Sequence, residues 1–388
     1  MKVVLICNSD GALYVFRNPL IRALIAAGHE VVGICPDGAF IERLQAMGVR
    51  TRLVEFARHS VSPLQNLSLL YKLWRIIRAE APGAVHGFTH KSVIYGALAA
   101  RLARVPRIVM TVTGLGTLFI RDDRRARWLR RALVAQYRIA LSPCVKVLFQ
   151  NPDDMQEMIS LGAVRQEQAL LTNGSGIDLS EFALPDRPTV TRMRAMLAAE
   201  TGVNLDGRMV AIFPARGVRE KGFCEFYEAA RHVSEAFPDR YLFLHLGLID
   251  SAASGYFPAE SVENFAHAHG VHYLGFKDNI RDYMAAADII VLPSYREGVP
   301  RSLIEGLAFG KVVIATDVPG CRETVVDGWN GYLCEPRSAD SLADALLKVD
   351  RAMTERVVPL SRRYCEEKFD VSRLNQLTLS LYGLETRP

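Results

Sequence analysis

The stretch that decides the fold is Asp288-Ile-Ile-Val-Leu-Pro-Ser-Tyr-Arg-Glu297-Gly-Val-Pro-Arg-Ser-Leu-Ile-Glu305-Gly-Leu-Ala-Phe-Gly310. Its first six residues are an apolar run closed by a proline, the pattern of a strand buried on both faces of a parallel sheet. A loop with Gly298 and Pro300 follows. Arg301 to Phe309 predicts a helix, with Pro300 at its first position and Gly310 at its end. Glu297 falls in the loop at the strand's carboxyl end, and Glu305 about one turn into the helix.

In an open α/β sheet, ligands bind beyond the carboxyl ends of the strands. The free N–H groups of a helix start point to the same place and attract phosphate. An ionised carboxylate only accepts hydrogen bonds, so Glu297 and Glu305 suit hydroxyl groups and not the phosphate itself. A ligand with phosphate in the middle and hydroxyls at both ends is a nucleotide sugar.

Glu297 and Glu305, with seven residues between them, resemble the E-x7-E signature of the retaining glycosyltransferases of family 4, which have the two-domain B-type fold. The likeness continues through Val313-Ile-Ala-Thr-Asp-Val-Pro-Gly-Cys-Arg-Glu323 and Asp327-Gly-Trp-Asn-Gly-Tyr-Leu333. The resemblance implies two facing Rossmann-like doubly wound α/β domains with a cleft between them. Glu297 would hold donor-sugar hydroxyls and Glu305 the ribose. Gly298 and the N–H groups of Arg301, Ser302 and Leu303 would seat the diphosphate. Backbone near Gly275 and Phe276 would hold the base.

A chain of 388 residues is too long for one ordinary core, and two domains are expected. At 49% hydrophobic and 23% charged it is globular, and a net charge of +5 with no nucleic-acid motif argues against nucleic acid as a partner. Seven scattered cysteines with no C-x-x-C fit reduced thiols. Lys2–Cys7 reads as a first strand and not a signal peptide, and no apolar run nears ~20 residues, so no span is expected.

The N-terminal half reads as strand (Lys2–Cys7), turn-rich loop (8–12), helix (16–27) and strand (29–35), the start of a doubly wound sheet. The loop lacks G-x-G-x-x-G, which removes a dinucleotide site. The family places this loop across from the donor, where Gly11 would allow close approach; a plain tight turn is the alternative. Strands follow at 84–88 and 107–112. His90 and Lys91 lie beyond the first, ahead of a helix over 92–102, where a lysine meets an anionic group. His86 and His90 straddle a strand end, so no metal site is expected.

Thr113-Gly114-Leu115-Gly116 follows the strand 107–112. Thr113 stands where many family members carry a histidine, so no histidine base is assigned. This motif resembles a subgroup that extends undecaprenyl-diphosphate-linked sugars, and the acceptor would meet Lys91, His90, Thr113, Gly114 and Gly116.

Residues 121–138 hold seven Arg and two Asp, a net of +5. Helical spacing sets Arg124, Arg127, Arg130, Arg131 and Arg138 on one side, against Trp128, Leu129, Ala132, Leu133 and Ile139. Two readings stand: a core-packed helix with a solvated basic face, and a face (Arg124, Arg127, Arg131) set against anionic lipid.

Asn173-Gly-Ser-Gly-Ile-Asp178 predicts the hinge, giving an acceptor domain 1–176, a donor domain 177–364 and a returning C-terminal helix 365–388. A helical lead-in (185–207) precedes strands at 209–214, 241–246, 272–274 and 311–316. Helices are predicted at 223–236 and at 341–353 with Asp340 as cap. Arg216 and Lys221 sit between the first of these strands and its helix. The family grips the donor diphosphate with an Arg and a Lys at this spacing, cations that stabilise charge on the leaving group.

The function implied is transfer of a sugar from a nucleotide, UDP by expectation, to a lipid-diphosphate-linked acceptor. Glu297, Arg216 and Lys221 would act, with no metal or other cofactor, in the cytoplasm at the inner face of the plasma membrane. An epimerase or hydrolase on the same scaffold, or a non-catalytic membrane scaffold, are the other classes.

Overall fold

The computed structural model describes residues 1–56, 62–249 and 262–384, and the chain divides into two compact units, 1–176 with 371–388 and 177–370. In the first, a seven-stranded sheet has the order β3-β2-β1-β4-β5-β6-β7, with β1 Lys2–Cys7, β2 Glu30–Cys35, β3 Arg50–Leu53, β4 Ala84–Phe88, β5 Arg107–Val112, β6 Val145–Phe149 and β7 Ala169–Leu171. In the second, six strands run β10-β9-β8-β11-β12-β13, with β8 Met209–Phe213, β9 Tyr241–Leu246, β10 Val271–Gly275, β11 Ile289–Leu292, β12 Val312–Thr316 and β13 Gly331–Cys334. Every pairing is parallel.

The period of two decides which side each residue fills. In β1, Val4 and Ile6 join the core beneath the helices Pro63–Glu80, His90–Leu102 and Arg124–Ala140. Val3, Leu5 and Cys7 join Leu13, Ile21 and Leu24 of the helix Asp10–Ala26 on the other side. All five are at most 2% exposed, and each fully buried aliphatic of this kind stabilises by about 1.5–3 kcal/mol. The central strands are therefore continuous apolar runs, as the sequence predicts.

Several boundaries differ from expectation. The first helix begins at Asp10, because the Ser9 hydroxyl accepts the Ala12 N–H at 3.3 Å and caps it, so residues 10–12 are helical and not loop. The helix after β4 starts at His90, which makes His90 and Lys91 helical too. Pro300 is the N-cap, in extended conformation, not the first helical residue. Ser338, not Asp340, caps the helix Ala339–Leu347, and a new helix capped by Asp350 runs Arg351–Phe369. The helix ends at Asp370, and Val371–Leu381 belongs to the first unit. There Tyr382 is fully buried with its hydroxyl 2.5 Å from His86 Nδ1, while His86 Nε2 lies 2.6 Å from Thr111 Oγ1.

His245, in β9, is buried between the Tyr227 hydroxyl (2.9 Å from Nδ1) and the Ala215 carbonyl (2.9 Å from Nε2). Nε2–H donates and Nδ1 accepts, so the ring is held neutral, and burial lowers its pKa to about 4. Burial also pushes His86 well below the usual value. A lowered folded pKa gives stability that is complete above the unfolded value near 6.5 and is lost as pH falls toward 4. Between pH 7.5 and 5, His245 alone is expected to remove about 2 kcal/mol. Urea unfolding across this range checks it. His245→Gln keeps both hydrogen bonds but cannot titrate, and should flatten the slope.

Candidate active site

In the second unit, β8 has β9 on one side and β11 on the other, so the connections leave in opposite directions between β8 and β11. That reversal opens a crevice at the carboxyl ends of the two strands. The loop 214–222 follows β8 and the loop 293–300 follows β11. The first carries Arg216 and Lys221, the second Glu297 and Gly298.

These loops are joined backbone to backbone. Gly222 has φ +74°, and a Cβ there would collide with the Pro293 carbonyl. The Tyr295 N–H donates to the Glu220 carbonyl at 2.9 Å. Lys221 Nζ forms an ion pair with Glu297 Oε1, and the Ser294 hydroxyl donates to the same oxygen at 2.7 Å. A third loop, after β12, closes the far side. The Glu297 N–H donates to the Pro319 carbonyl at 3.1 Å, and the Thr316 hydroxyl donates to the Ser294 carbonyl. Arg216 is exposed and has no acceptor among the described residues.

The helix Arg301–Ala308 starts beside Glu297. Its first-turn N–H groups are not all available: that of Leu303 donates to the Pro300 carbonyl at 3.2 Å, which removes Leu303 from the expected phosphate seat. Ser302 makes no side-chain hydrogen bond among the described residues. Arg301 Nε donates to Glu305 Oε1 at 2.8 Å, both side chains mostly buried. Each acid singled out in the sequence thus has a basic partner from its own neighbourhood. Phe276, beyond β10, is 64% exposed.

The first unit has the same reversal, between β1 and β4. Gly11 lies in the first helical turn beyond β1, and a Cβ there would sit 3.2 Å from the Phe40 ring, so that ring fills the space that glycine leaves. Beyond β4, Thr89 has φ +74°. Lys91 donates to Asn66 Oδ1 at 3.1 Å, and burial lowers its pKa. It opens on a cavity of about 300 Å³ shared with Glu55, Phe56, Asn66 and Lys72. His90 Nδ1 lies 2.6 Å from the Tyr137 hydroxyl, and its ring also bonds the Leu115 backbone. Leu115 is buried between Gly114 (φ +130°) and Gly116 (φ +72°), conformations that favour glycine, and Thr113 is half-buried at the loop's start.

The basic helix is turned from its expected orientation. Ala126, Val134, Tyr137 and Ala140 are its buried residues, while Trp128 is 67% and Ile139 66% exposed. Arg130, expected in solvent, is half-buried, donates to the Leu118 and Arg121 carbonyls and lies over the Phe119 ring. Arg127 and Arg138 donate to main-chain carbonyls, and Arg121 pairs with Asp123. Arg124, Arg125 and Arg131 are exposed without a protein acceptor among the described residues. At 100° per residue they surround Trp128. The apolar pattern misled because small Ala126 and Ala140 fill the buried side.

Sequence reasoning missed Ser294, Thr316 and Tyr137. Ser294 precedes Glu297 by three residues, a spacing that allows a local hydroxyl–carboxylate bond; the other two meet their partners only in the fold.

Gly222→Ala and Gly202→Ala make a matched pair. Both glycines have left-handed φ, but nothing lies within 4 Å of a Cβ at Gly202. Gly202→Ala is expected to cost about 1–2 kcal/mol from conformation alone. Gly222→Ala adds a backbone clash, and urea unfolding should show a loss larger by about 1–3 kcal/mol.

Two family models cover most of the chain: "Glycosyl transferase 4-like" matches residues 2–151 and "Glycosyl transferases group 1" residues 200–359. The chain is 28% identical to the N,N'-diacetylbacillosaminyl-diphospho-undecaprenol alpha-1,3-N-acetylgalactosaminyltransferase of Campylobacter jejuni, over 89% of this chain and 88% of the relative. It is 23% identical to the UDP-Gal:alpha-D-GlcNAc-diphosphoundecaprenol alpha-1,3-galactosyltransferase of Escherichia coli, over 86% and 83%. Among solved structures, Anabaena HepE in complex with UDP and glucose superposes with a TM-score of 0.79 at 20% identity, over 99% and 100%. With two Rossmann-like units, loops that gather cations and acids at a switch point, and both family models in chain order, this protein belongs to the family 4-like glycosyltransferases of the GT-B fold.

Proposed function

We propose that this enzyme moves a sugar from a UDP-sugar, with retention at the anomeric carbon, to a sugar carried on undecaprenyl diphosphate during cell-surface glycan assembly. The observation that carries the reading is the convergence of Arg216, Lys221, Glu297 and the start of the helix Arg301–Ala308 on one strand-end crevice. The acceptor is supported by the two undecaprenol-linked relatives, and the donor by the E. coli relative and the UDP complex of HepE.

In this reading the bond from the anomeric carbon to the diphosphate oxygen breaks, and a bond to the acceptor hydroxyl oxygen forms on the same face. The acceptor's proton passes to the departing phosphate oxygen, so no protein base is needed at Thr113. Arg216 and Lys221, with the N–H groups of Arg301 and Ser302, stabilise the charge that builds on the diphosphate. Glu297 and Gly298 hold the donor sugar, Glu305 the ribose, and the segment at Phe276 the base. Protein cations do the work a metal would otherwise do. Lys91 and His90, with the loop Thr113–Gly116, meet the acceptor.

The described residues include no helix long and apolar enough to cross a membrane. The enzyme reaches its lipid-linked acceptor as a peripheral protein at the cytoplasmic face. Trp128 and Ile139 enter the interface, and Arg124, Arg125 and Arg131 meet anionic headgroups, each contributing about 1 kcal/mol. Arg127 is a weaker participant, because its guanidinium is already engaged by Asp122.

Purified enzyme, radiolabelled UDP-sugars and an undecaprenyl-diphosphate-linked sugar should move label into the organic phase, with the donor's anomeric configuration kept by NMR. Chelator should leave the rate unchanged. Lys221→Ala and Glu297→Gln should each lower kcat by about 10²–10³-fold. Free sugar released without acceptor product would make the enzyme a hydrolase. In a separate assay, flotation with phosphatidylglycerol vesicles should be lost when Arg124, Arg125 and Arg131 become Glu, and an unchanged flotation would remove the membrane contact.

A further inference from the structure

Tyr295 is one of the residues through which the two loops of the crevice hold each other. It lies two positions before Glu297. Its N–H donates to the Glu220 carbonyl at 2.9 Å, one residue before Lys221. Its hydroxyl donates to Glu225 Oε1 at 2.6 Å. Its ring lies 4.9 Å from the Arg337 guanidinium, and Arg219 also hydrogen-bonds the side chain. Burial and then Glu225 raise the phenol's pKa, so it stays a donor.

Glu225 is set for this contact in an unusual way. It stands in the first turn of the helix Phe223–Ala236, where the positive end of the helix favours a carboxylate. Its second oxygen, Oε2, is buried with no hydrogen-bond partner among the described residues. A buried carboxylate oxygen without a partner is destabilising, and a shape-matched apolar pair would serve stability better. Such a group persists where its geometry is needed.

We propose that Tyr295 and Glu225 are positioning residues for the transfer reaction, a strut that sets the Glu297 loop against the segment bearing Lys221. The inference rests on the reading of the site given above. The strut touches no substrate. It acts by fixing where the carboxylate and the ammonium stand relative to each other, and small displacements of such groups weaken transition-state contacts more than ground-state binding.

Tyr295→Phe removes one oxygen and nothing else. It should lower kcat about ten-fold, with the donor KM within about two-fold and a fall of a few degrees in melting temperature as Glu225 Oε1 loses its donor. Glu225→Gln keeps an acceptor and should retain activity. Glu225→Ala should match Tyr295→Phe, and the double variant should be no worse than either single one. Hydrogen exchange at the Glu297 N–H, which reports the loop without any substrate, should quicken in Tyr295→Phe. Wild-type kcat with unchanged exchange in Tyr295→Phe overturns the proposal, as does an equal fall in activity and melting temperature for Glu225→Gln. Should the wild-type protein transfer no sugar, the assigned reaction fails, and the exchange measurement alone judges the strut.

Discussion

Gly222 runs so close to the Pro293 carbonyl that no side chain fits between them, and this contact of two backbones sets the geometry of the crevice. The two segments leave adjacent strands in opposite directions, and nothing in the sheet itself would bring their side chains together. Once the backbones meet, Lys221 falls onto Glu297 and Tyr295 reaches Glu225. Gly320 does the same on the other side, where a Cβ would strike the Glu297 and Gly298 carbonyls. Glycines at left-handed φ therefore act here less as turns than as places where one loop can rest directly on another.

The central strands were legible because strands buried on both faces need apolar residues, and β1, β4, β5, β8, β9 and β11 have them apart from the buried His86, Thr111 and His245. Two of the edge strands, β3 and β13, were not. Arg50–Leu53 carries two arginines and a threonine and is paired only to β2, so no pattern of burial marks it. Gly331–Cys334 opens with a glycine lying against the Val313 backbone. Helix starts were misplaced where a cap decides them: Ser9 and Ser338 are ordinary polar residues until their hydroxyls meet a particular N–H. Orientation of the basic helix failed for a related reason. Periodicity assumes that large apolar residues turn inward, yet Trp128 points outward while the phenol of Tyr137 is buried on His90.

The site was legible as a set of residue types at strand ends, and illegible as a set of partners. That Arg216, Lys221, Glu297 and Glu305 stand near one crevice follows from where they fall relative to β8 and β11. That Lys221 belongs to Glu297 does not, since 76 residues separate them and it takes both the strand order β8–β11 and the contact of the two loops to make them partners. The local pair Arg301 and Glu305, at i, i+4 on a helix, was within reach of sequence rules. The loss of the Leu303 N–H to Pro300 was not, because it depends on how tightly the first turn winds.

The pairing also decides which cation can do what. Arg301 is bound to Glu305 by a side chain from its own helix, and Lys221 to Glu297 across two loops. Arg216 is left without a protein acceptor among the described residues. In the proposed reaction, a diphosphate brought to this crevice would add charge that Arg216 and the helix start meet first. Lys221 is then the group that must serve two anions. An ammonium has three donors on a flexible stem and can give one to a carboxylate while turning another to a phosphate oxygen, whereas a guanidinium fork fits a single planar partner best. In the proposed reaction, a lysine at this position would let the leaving group and the Glu297 carboxylate share one positive charge. Such sharing would also account for the many neighbours that tie the Glu297 loop, since a shared charge stabilises both anions only if neither can drift away.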